Sequence, residues 1–321
     1  MAGKEEILRL FPGILREILG QVSGNFEEIQ EIRLRAEQPV IIIRNNREYF
    51  LTPSGSLRTA KDGAAVFHGP QIQEIVEYMG NYSLYAFEEE VRRGFLTLQG
   101  GHRVGLAGQA VLESRKEPGI RQVKTLKYIS FLNVRIAHQK KGCAAGLLPF
   151  LCEDGKVLPS LLISPPRCGK TTILRDLIRM ISDGTPPVRG RTVGVVDERS
   201  ELGACYQGIP QNDLGIRTDV LDCCPKADGM MMLIKTMAPE VIAVDEIGSE
   251  EDFKAIEYAR NCGCCLIATV HGSSLADIKE KPVLNRLIRE HTFRRYAVLG
   301  TDPHPGTIKA VYDEREHELE E

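Results

Sequence analysis

Nine residues near the middle of the chain, Ser164-Pro165-Pro166-Arg167-Cys168-Gly169-Lys170-Thr171-Thr172, match the phosphate-binding loop GxxxxGK[ST] except at its first position, where Ser164 stands for glycine. The residue types follow from the chemistry. Backbone N–H groups of such a loop, and the N-terminus of the helix it opens, point at an anion, and a side chain at Gly169 would obstruct that approach. Lys170 is placed to reach the β- and γ-phosphates of a nucleotide, and Thr171 to ligate Mg²⁺. Ser164 needs a backbone that a Cβ tolerates, where glycine is freer. The nine residues are the expected ATP-binding set.

A nucleotide hydrolase also needs an acid at a neighbouring strand end to hold Mg²⁺, and a base for water. Val241-Ile242-Ala243-Val244-Asp245-Glu246 supplies four apolar residues and then two carboxylates. Asp245 is the expected metal ligand with Thr171, and Glu246 the residue that orients or deprotonates water. Taken alone, the run reads equally well as a strand ending in a solvated acidic loop. Two further apolar runs end in polar chemistry: Val195-Val196 leads into Asp197-Glu198-Arg199, and Ala268-Thr269-Val270 into His271. In open α/β sheets ligands sit beyond the carboxyl ends of strands, so Asp197, Glu198 and His271 are expected to join the site. For His271 the expected tasks are sensing the γ-phosphate or bonding to the acidic pair.

These residues must be positioned by a sheet. Leu161 to Ile163, Thr192 to Val196, Val241 to Val244 and Cys265 to Val270 are short, nearly continuous apolar runs, the pattern of parallel strands buried on both faces. Helical patterns at 172–181, 227–237 and 251–260 separate them, which predicts a doubly wound α/β domain. Tyr296 to Leu299 and Thr307 to Tyr312 are expected to close it as a hairpin. Before residue 138 the texture differs. Residues 4–22 have helical spacing broken at Pro12-Gly13, and 31–35, 40–43 and 128–137 read as strands. Pro70 to Met79 opens a helix, and 95–111 reads as a hairpin turning at Gly100-Gly101. The predicted organisation is an N-terminal α+β domain at 1–138, a linker at 139–146, a P-loop domain at 147–312 and a solvated acidic tail at 313–321.

Composition narrows the classes. The 321 residues carry 41 Lys+Arg against 44 Asp+Glu, a net charge of −3, so no global electrostatic case for nucleic acid exists. Hydrophobic residues at 42% and charged residues at 26% are globular values that argue against disorder. No apolar run approaches the roughly 18–20 residues of a membrane span, and the start lacks a signal-peptide core. The nine cysteines all follow residue 142, and their odd count and adjacent pairs argue against a disulfide framework. The reading is a soluble, cytoplasmic protein.

The phosphate loop, the acidic box at Asp197-Glu198, the Walker B strand at Asp245-Glu246 and the histidine box at His271 together resemble the ATPases of type II and type IV secretion systems and pili. More closely, the chain resembles the stage III sporulation protein AA family of endospore-forming bacteria. That likeness is carried by Ser83 to Glu90, Gly100 to Gly105, Asp219 to Asp222, Cys224 to Met232 and Val241 to Gly248. It implies a RecA-like ATPase domain behind a smaller N-terminal domain, ATP and Mg²⁺ as ligands, and a ring, as a hexamer. It also implies a mother-cell ATPase peripherally docked on membrane-embedded channel proteins between mother cell and forespore, its own membrane contact indirect. Secretion ATPases often carry Arg soon after the Walker B acid; here Gly248-Ser249-Glu250 follows. Cationic help at the γ-phosphate is therefore sought from Arg217, from Lys235, or from another subunit, with Arg103 and Arg135 as candidates for a trans-acting finger.

Two other classes stay open on sequence. A RecA-like nucleic-acid motor would use a basic strip of Arg92-Arg93, Arg103 and Lys124 to Lys127, but aromatics are only 6% with no Trp, leaving few stacking platforms. A nucleotide-dependent scaffold would bind ATP with little turnover.

Overall fold

The computed structural model describes residues 3–82, 87–114 and 121–320. Residues 83–86, the start of one stretch that carries the family likeness, lie outside them. The chain divides into two compact units, Met1–His138 and Gln139–Glu321.

The first unit opens with α1 (Lys4–Leu8) and α2 (Gly13–Gly20), interrupted at Pro12, which has no amide hydrogen to continue a helix. Strands β1 (Ile29–Arg35), β2 (Ile41–Arg44), β3 (Arg47–Leu51) and β4 (Leu57–Arg58) follow, then α3 (Gly69–Met79), α4 (Glu88–Arg93), β5 (Phe95–Thr97), β6 (Arg103–Ser114) and β7 (Arg121–Arg135). They form one antiparallel sheet of order β4-β3-β2-β1-β7-β6-β5. Ile32, Leu34, Val104, Leu106, Leu132 and Val134 are buried, while the alternating positions bring Arg103 opposite Arg135 and Arg135 opposite Glu31. The β5–β6 turn uses Gly100 and Gly101 with φ of 86° and 76°, the conformation glycine supplies at no steric cost. Strand β7 starts seven residues before the predicted Tyr128, because its polar first half pairs with β6 instead of forming a loop.

The wholly buried His102 links this turn to β7. Its Nδ1 accepts the Ala137 N–H at 3.1 Å, which leaves Nε2 as the protonated nitrogen, 3.4 Å from Glu6 Oε1. Burial pushes the ring's pKa below its ordinary value, against the opposing pull of Glu6. The unfolded chain takes up a proton near pH 6.5 that the folded ring resists, so this contribution to stability is fully present above that pH and is lost as pH falls below it. Hydrogen exchange of the β6 and β7 amides in the full chain, corrected for intrinsic rates, should therefore show more protection at about pH 7.5 than at about pH 5.5. His102→Asn keeps an acceptor and cannot titrate; an undiminished pH dependence in that variant would assign the effect elsewhere.

The second unit begins with a short hairpin of β8 (Cys152–Glu153) and β9 (Lys156–Val157). Then come β10 (Ser160–Ser164), α5 (Lys170–Asp183), β11 (Val193–Asp197), β12 (Thr218–Asp222), α6 (Lys226–Met237), β13 (Val241–Val244), α7 (Glu250–Asn261), β14 (Cys265–His271), α8 (Leu275–Lys279), α9 (Pro282–Arg289), β15 (Arg295–Gly300) and β16 (Thr307–Asp313). The sheet runs β12-β11-β13-β14-β10-β15-β16, parallel except for the last pair. The four apolar runs are its centre. One face is covered by Met230, Phe253, Ile256, Leu284 and their neighbours. The other face meets Ile173, Leu174, Leu177, Ile178 and Ile181 of α5, whose spacing makes one buried stripe.

Two expectations are corrected. The segment after Gln139 is not a free linker: the Gln139 side chain exchanges two hydrogen bonds with the Asp213 backbone at 2.7 and 3.0 Å, and the Ala144 N–H donates to the buried Asp176 at 2.9 Å. Nor is the acidic end simply solvated. Asp313 accepts the His317 N–H at 2.8 Å, the Leu319 N–H donates to Val311 O at 2.8 Å, and Leu319 packs on the core.

Candidate functional site

The loop between β10 and α5 explains the departure at its first position. Ser164 is the last residue of β10, buried and paired in register with His271, so it sits in extended backbone that any residue adopts. The left-handed positions are Arg167 at φ 62° and Gly169 at φ 82°. A Cβ on Gly169 would also lie 3.2 Å from the Gly306 nitrogen and 3.3 Å from the Pro305 carbonyl carbon, so glycine is required there twice over. Lys170 opens α5, and the free N–H groups of that first turn face the loop.

Because β10, β14, β13 and β11 are parallel and mutually adjacent, their carboxyl ends bring four motifs to one edge. Lys170 is buried, and its Nζ donates to Glu246 Oε1 at 2.8 Å and lies 3.4 Å from both His271 ring nitrogens. His271 Nε2 is 2.9 Å from the same carboxylate oxygen. The other oxygen, Oε2, is 3.0 Å from Arg199 Nη1. Burial pushes the Glu246 carboxyl up, but Lys170, His271 and Arg199 outweigh it and hold its pKa below the usual carboxylate value. Its backbone is left-handed, φ 58°, a conformation that costs a non-glycine residue about 1–3 kcal/mol. The Glu246 N–H donates to Thr269 Oγ1 at 2.9 Å, which fixes that turn.

Asp245 takes the complementary place. Its Oδ2 accepts the Thr171 hydroxyl at 2.7 Å and its Oδ1 accepts the Thr269 hydroxyl. Thr171 and Asp245 thus stand together, two oxygen donors of the kind Mg²⁺ selects.

The second acidic box behaves differently from expectation. Asp197 is buried, and its two oxygens accept the N–H groups of Glu201 and Gly203, each at 2.8 Å. Burial raises its pKa against those backbone bonds. Glu198 is paired with Lys226. Neither carboxylate is directed at Lys170; the box delivers its arginine instead. Sequence reasoning quoted Arg199 and gave it no role. It also passed over Thr269, which orients both Walker B residues, and Arg175, which donates to Leu202 O at 3.0 Å and Glu201 O at 2.6 Å.

The proposed cis cations are misplaced by topology. Arg217 precedes β12 and so lies at the amino edge of the parallel sheet, where it donates to Ser182 O at 2.8 Å. Lys235 lies in the last turn of α6, 5.9 Å from the Tyr258 ring centroid. Arg103 and Arg135 belong to the first unit. There Arg103 lies 3.8 Å over the Phe95 ring, and Arg135 is 3.9 Å from Glu31.

The sequence pattern of the family described as sporulation stage III, protein AA matches residues 1–319. The chain belongs to that family. Stage III sporulation protein AA of Bacillus subtilis (strain 168) is 42% identical over 309 residues, 96% of this chain and 94% of that protein. Two solved structures, each 14% identical, share the fold. The ATPase DotB of Legionella pneumophila matches with a TM-score of 0.54 over 94% of this chain and 79% of that one. The pilus retraction motor PilT with bound ADP matches with a TM-score of 0.56 over 89% and 76%. The fold of this family member is therefore that of the RecA-like secretion ATPases, as its motifs imply.

Proposed function

We propose that this chain binds ATP with Mg²⁺ and hydrolyses it, with Lys170 on the β- and γ-phosphates, Thr171 and Asp245 holding the ion, Glu246 as the base for water and His271 beside it. The observation that carries this reading is the convergence of Lys170, Glu246 and His271 at the mouth of a strand–loop–helix. When bound, Mg²⁺ would offset charge on the phosphates. A buried lysine paired with a carboxylate at 2.8 Å is a site poised to exchange that carboxylate for an incoming anion.

The active assembly is a homo-oligomeric ring, a hexamer, in which Arg103 or Arg135 of a neighbouring copy supplies further charge. In the cell it works in the mother-cell cytoplasm, docked peripherally on membrane-embedded sporulation channel proteins. Family membership and the shared fold support this part. No helix among the described residues is long and apolar enough to cross a membrane.

Phosphate release from ATP by the purified chain tests the reading. Turnover should require Mg²⁺ and, if copies share a site, rise per chain with protein concentration. Mixing Lys170→Ala chains with Arg103→Ala or Arg135→Ala chains should then restore activity. No release at any Mg²⁺ or protein concentration, with or without single-stranded nucleic acid, in a chain that still binds ATP would favour a nucleotide-dependent scaffold. Turnover that is flat with concentration, without rescue, excludes the shared arginine.

A further inference from the structure

We propose that Arg199 is a positioning residue for the Glu246 carboxylate, holding it ready once nucleotide has drawn Lys170 away. The inference rests on the hydrolase reading above. In the ligand-free site Glu246 divides its oxygens: Oε1 faces Lys170 at 2.8 Å and His271 at 2.9 Å, and Oε2 faces Arg199 at 3.0 Å. A nucleotide recruits Lys170 to its phosphates, and Oε1 loses its strongest partner. The contact at Oε2 comes from outside the phosphate loop and persists. It fixes the plane of the carboxylate and leaves Oε1 presented to the space Lys170 vacates.

The Arg199 side chain is 65% exposed, yet the backbone beneath it is built for accuracy. The buried Asp197 two residues earlier accepts the N–H groups of Glu201 and Gly203, and its own carbonyl accepts the Cys223 N–H at 2.9 Å. From α5, Arg175 braces the Glu201 and Leu202 carbonyls. These bonds flank Arg199 and tie its turn to β12 and to the helix that starts at Lys170. The acidic box thereby acquires a use for its buried carboxylate: it sets the turn that aims a guanidinium across the strand ends at Glu246.

A carboxylate released from one side of its clamp and not the other keeps one orientation; released from both, it samples several. Misplacing a reacting group by about 1 Å costs up to about 100-fold in rate. In the full-length chain, Arg199→Ala should therefore lower kcat about 10–100-fold, with KM for Mg-ATP within about 2-fold of wild type. Arg199→Lys should recover part of the loss, because an ammonium reaches the same oxygen without the planar fork. In a Glu246→Gln background Arg199→Ala should add no further loss, since the carboxylate it positions is gone.

Three results overturn the proposal while leaving hydrolysis intact. One is an Arg199→Ala chain with wild-type kcat. Another is an equal loss in the Glu246→Gln background, which would make Arg199 independent of Glu246. The third is a rise in KM that accounts for the whole defect, which would place Arg199 on the nucleotide. A wild-type chain that binds no nucleotide and releases no phosphate is a different outcome. It fails the hydrolase reading itself, and this inference with it.

Discussion

Lys170→Ala should lower ATP affinity about 10–100-fold or more, as measured by calorimetry with Mg-ATP. The size follows from two effects that act in the same direction. The loop loses the side-chain cation that meets the β- and γ-phosphates, and a charge-assisted hydrogen bond is worth about 1.5–3 kcal/mol. The variant also leaves Glu246 with one fewer partner, His271 and Arg199 being the others, so an incoming polyphosphate meets a less compensated carboxylate. Folding should be little affected, because Lys170 contributes its charge to the site and its stem to the start of α5, while the helix is held by its Ile173 to Ile181 stripe. Unchanged nucleotide affinity in a folded Lys170→Ala chain would sink the phosphate-loop assignment.

Why Lys170, Asp245, Glu246 and His271 were legible in the sequence is a matter of topology. Each follows a continuous apolar run, such runs are buried parallel strands, and parallel strands present all their carboxyl ends on one edge. The same rule, applied fully, would have excluded Arg217: it stands before a strand, at the opposite edge. It was missed because β12, Thr218-Asp219-Val220-Leu221-Asp222, is an edge strand with three polar residues of five and does not announce itself by hydrophobicity. The acidic box was legible as a box and misread as chemistry. Whether Asp197 is a free carboxylate or a loop brace depends on where the N–H groups of Glu201 and Gly203 point, and no spacing rule encodes that. The clamp on Glu246 is less visible still. It needs a left-handed Glu246 and an arginine reaching across from β11. Both come from backbone turns at strand ends, where local sequence constrains the chain least. In the first unit the strands that alternate strictly were legible. The polar half of β7 was not, because its two aliphatic residues, Val123 and Leu126, stand three apart and break the period-two signal of a strand.

Glu246→Gln should separate binding from turnover. Gln keeps the shape of the side chain and leaves Asp245 and Thr171, 2.7 Å apart, untouched, so Mg-ATP should still bind. It removes the negative charge that Lys170, His271 and Arg199 surround. Two consequences follow. Lys170 no longer has to be taken from a carboxylate when phosphates arrive, so affinity for ATP should hold or rise. The carboxylate that remains at the end of β13, Asp245, is bonded to Thr171 and assigned to the ion, so the base for water is lost, and general-base contributions run to about 10²–10⁴-fold. The expected result is a chain that retains ATP through a spin column or filter assay while single-turnover phosphate release falls by that factor. The competing carboxylate is Glu198, which lies at the end of β11 but is tied to Lys226 on α6. Turnover at the wild-type rate in Glu246→Gln, together with its loss in Glu198→Gln, would transfer the base to β11. The Glu246 clamp would then be a resting-state ion pair, with no part in the chemistry.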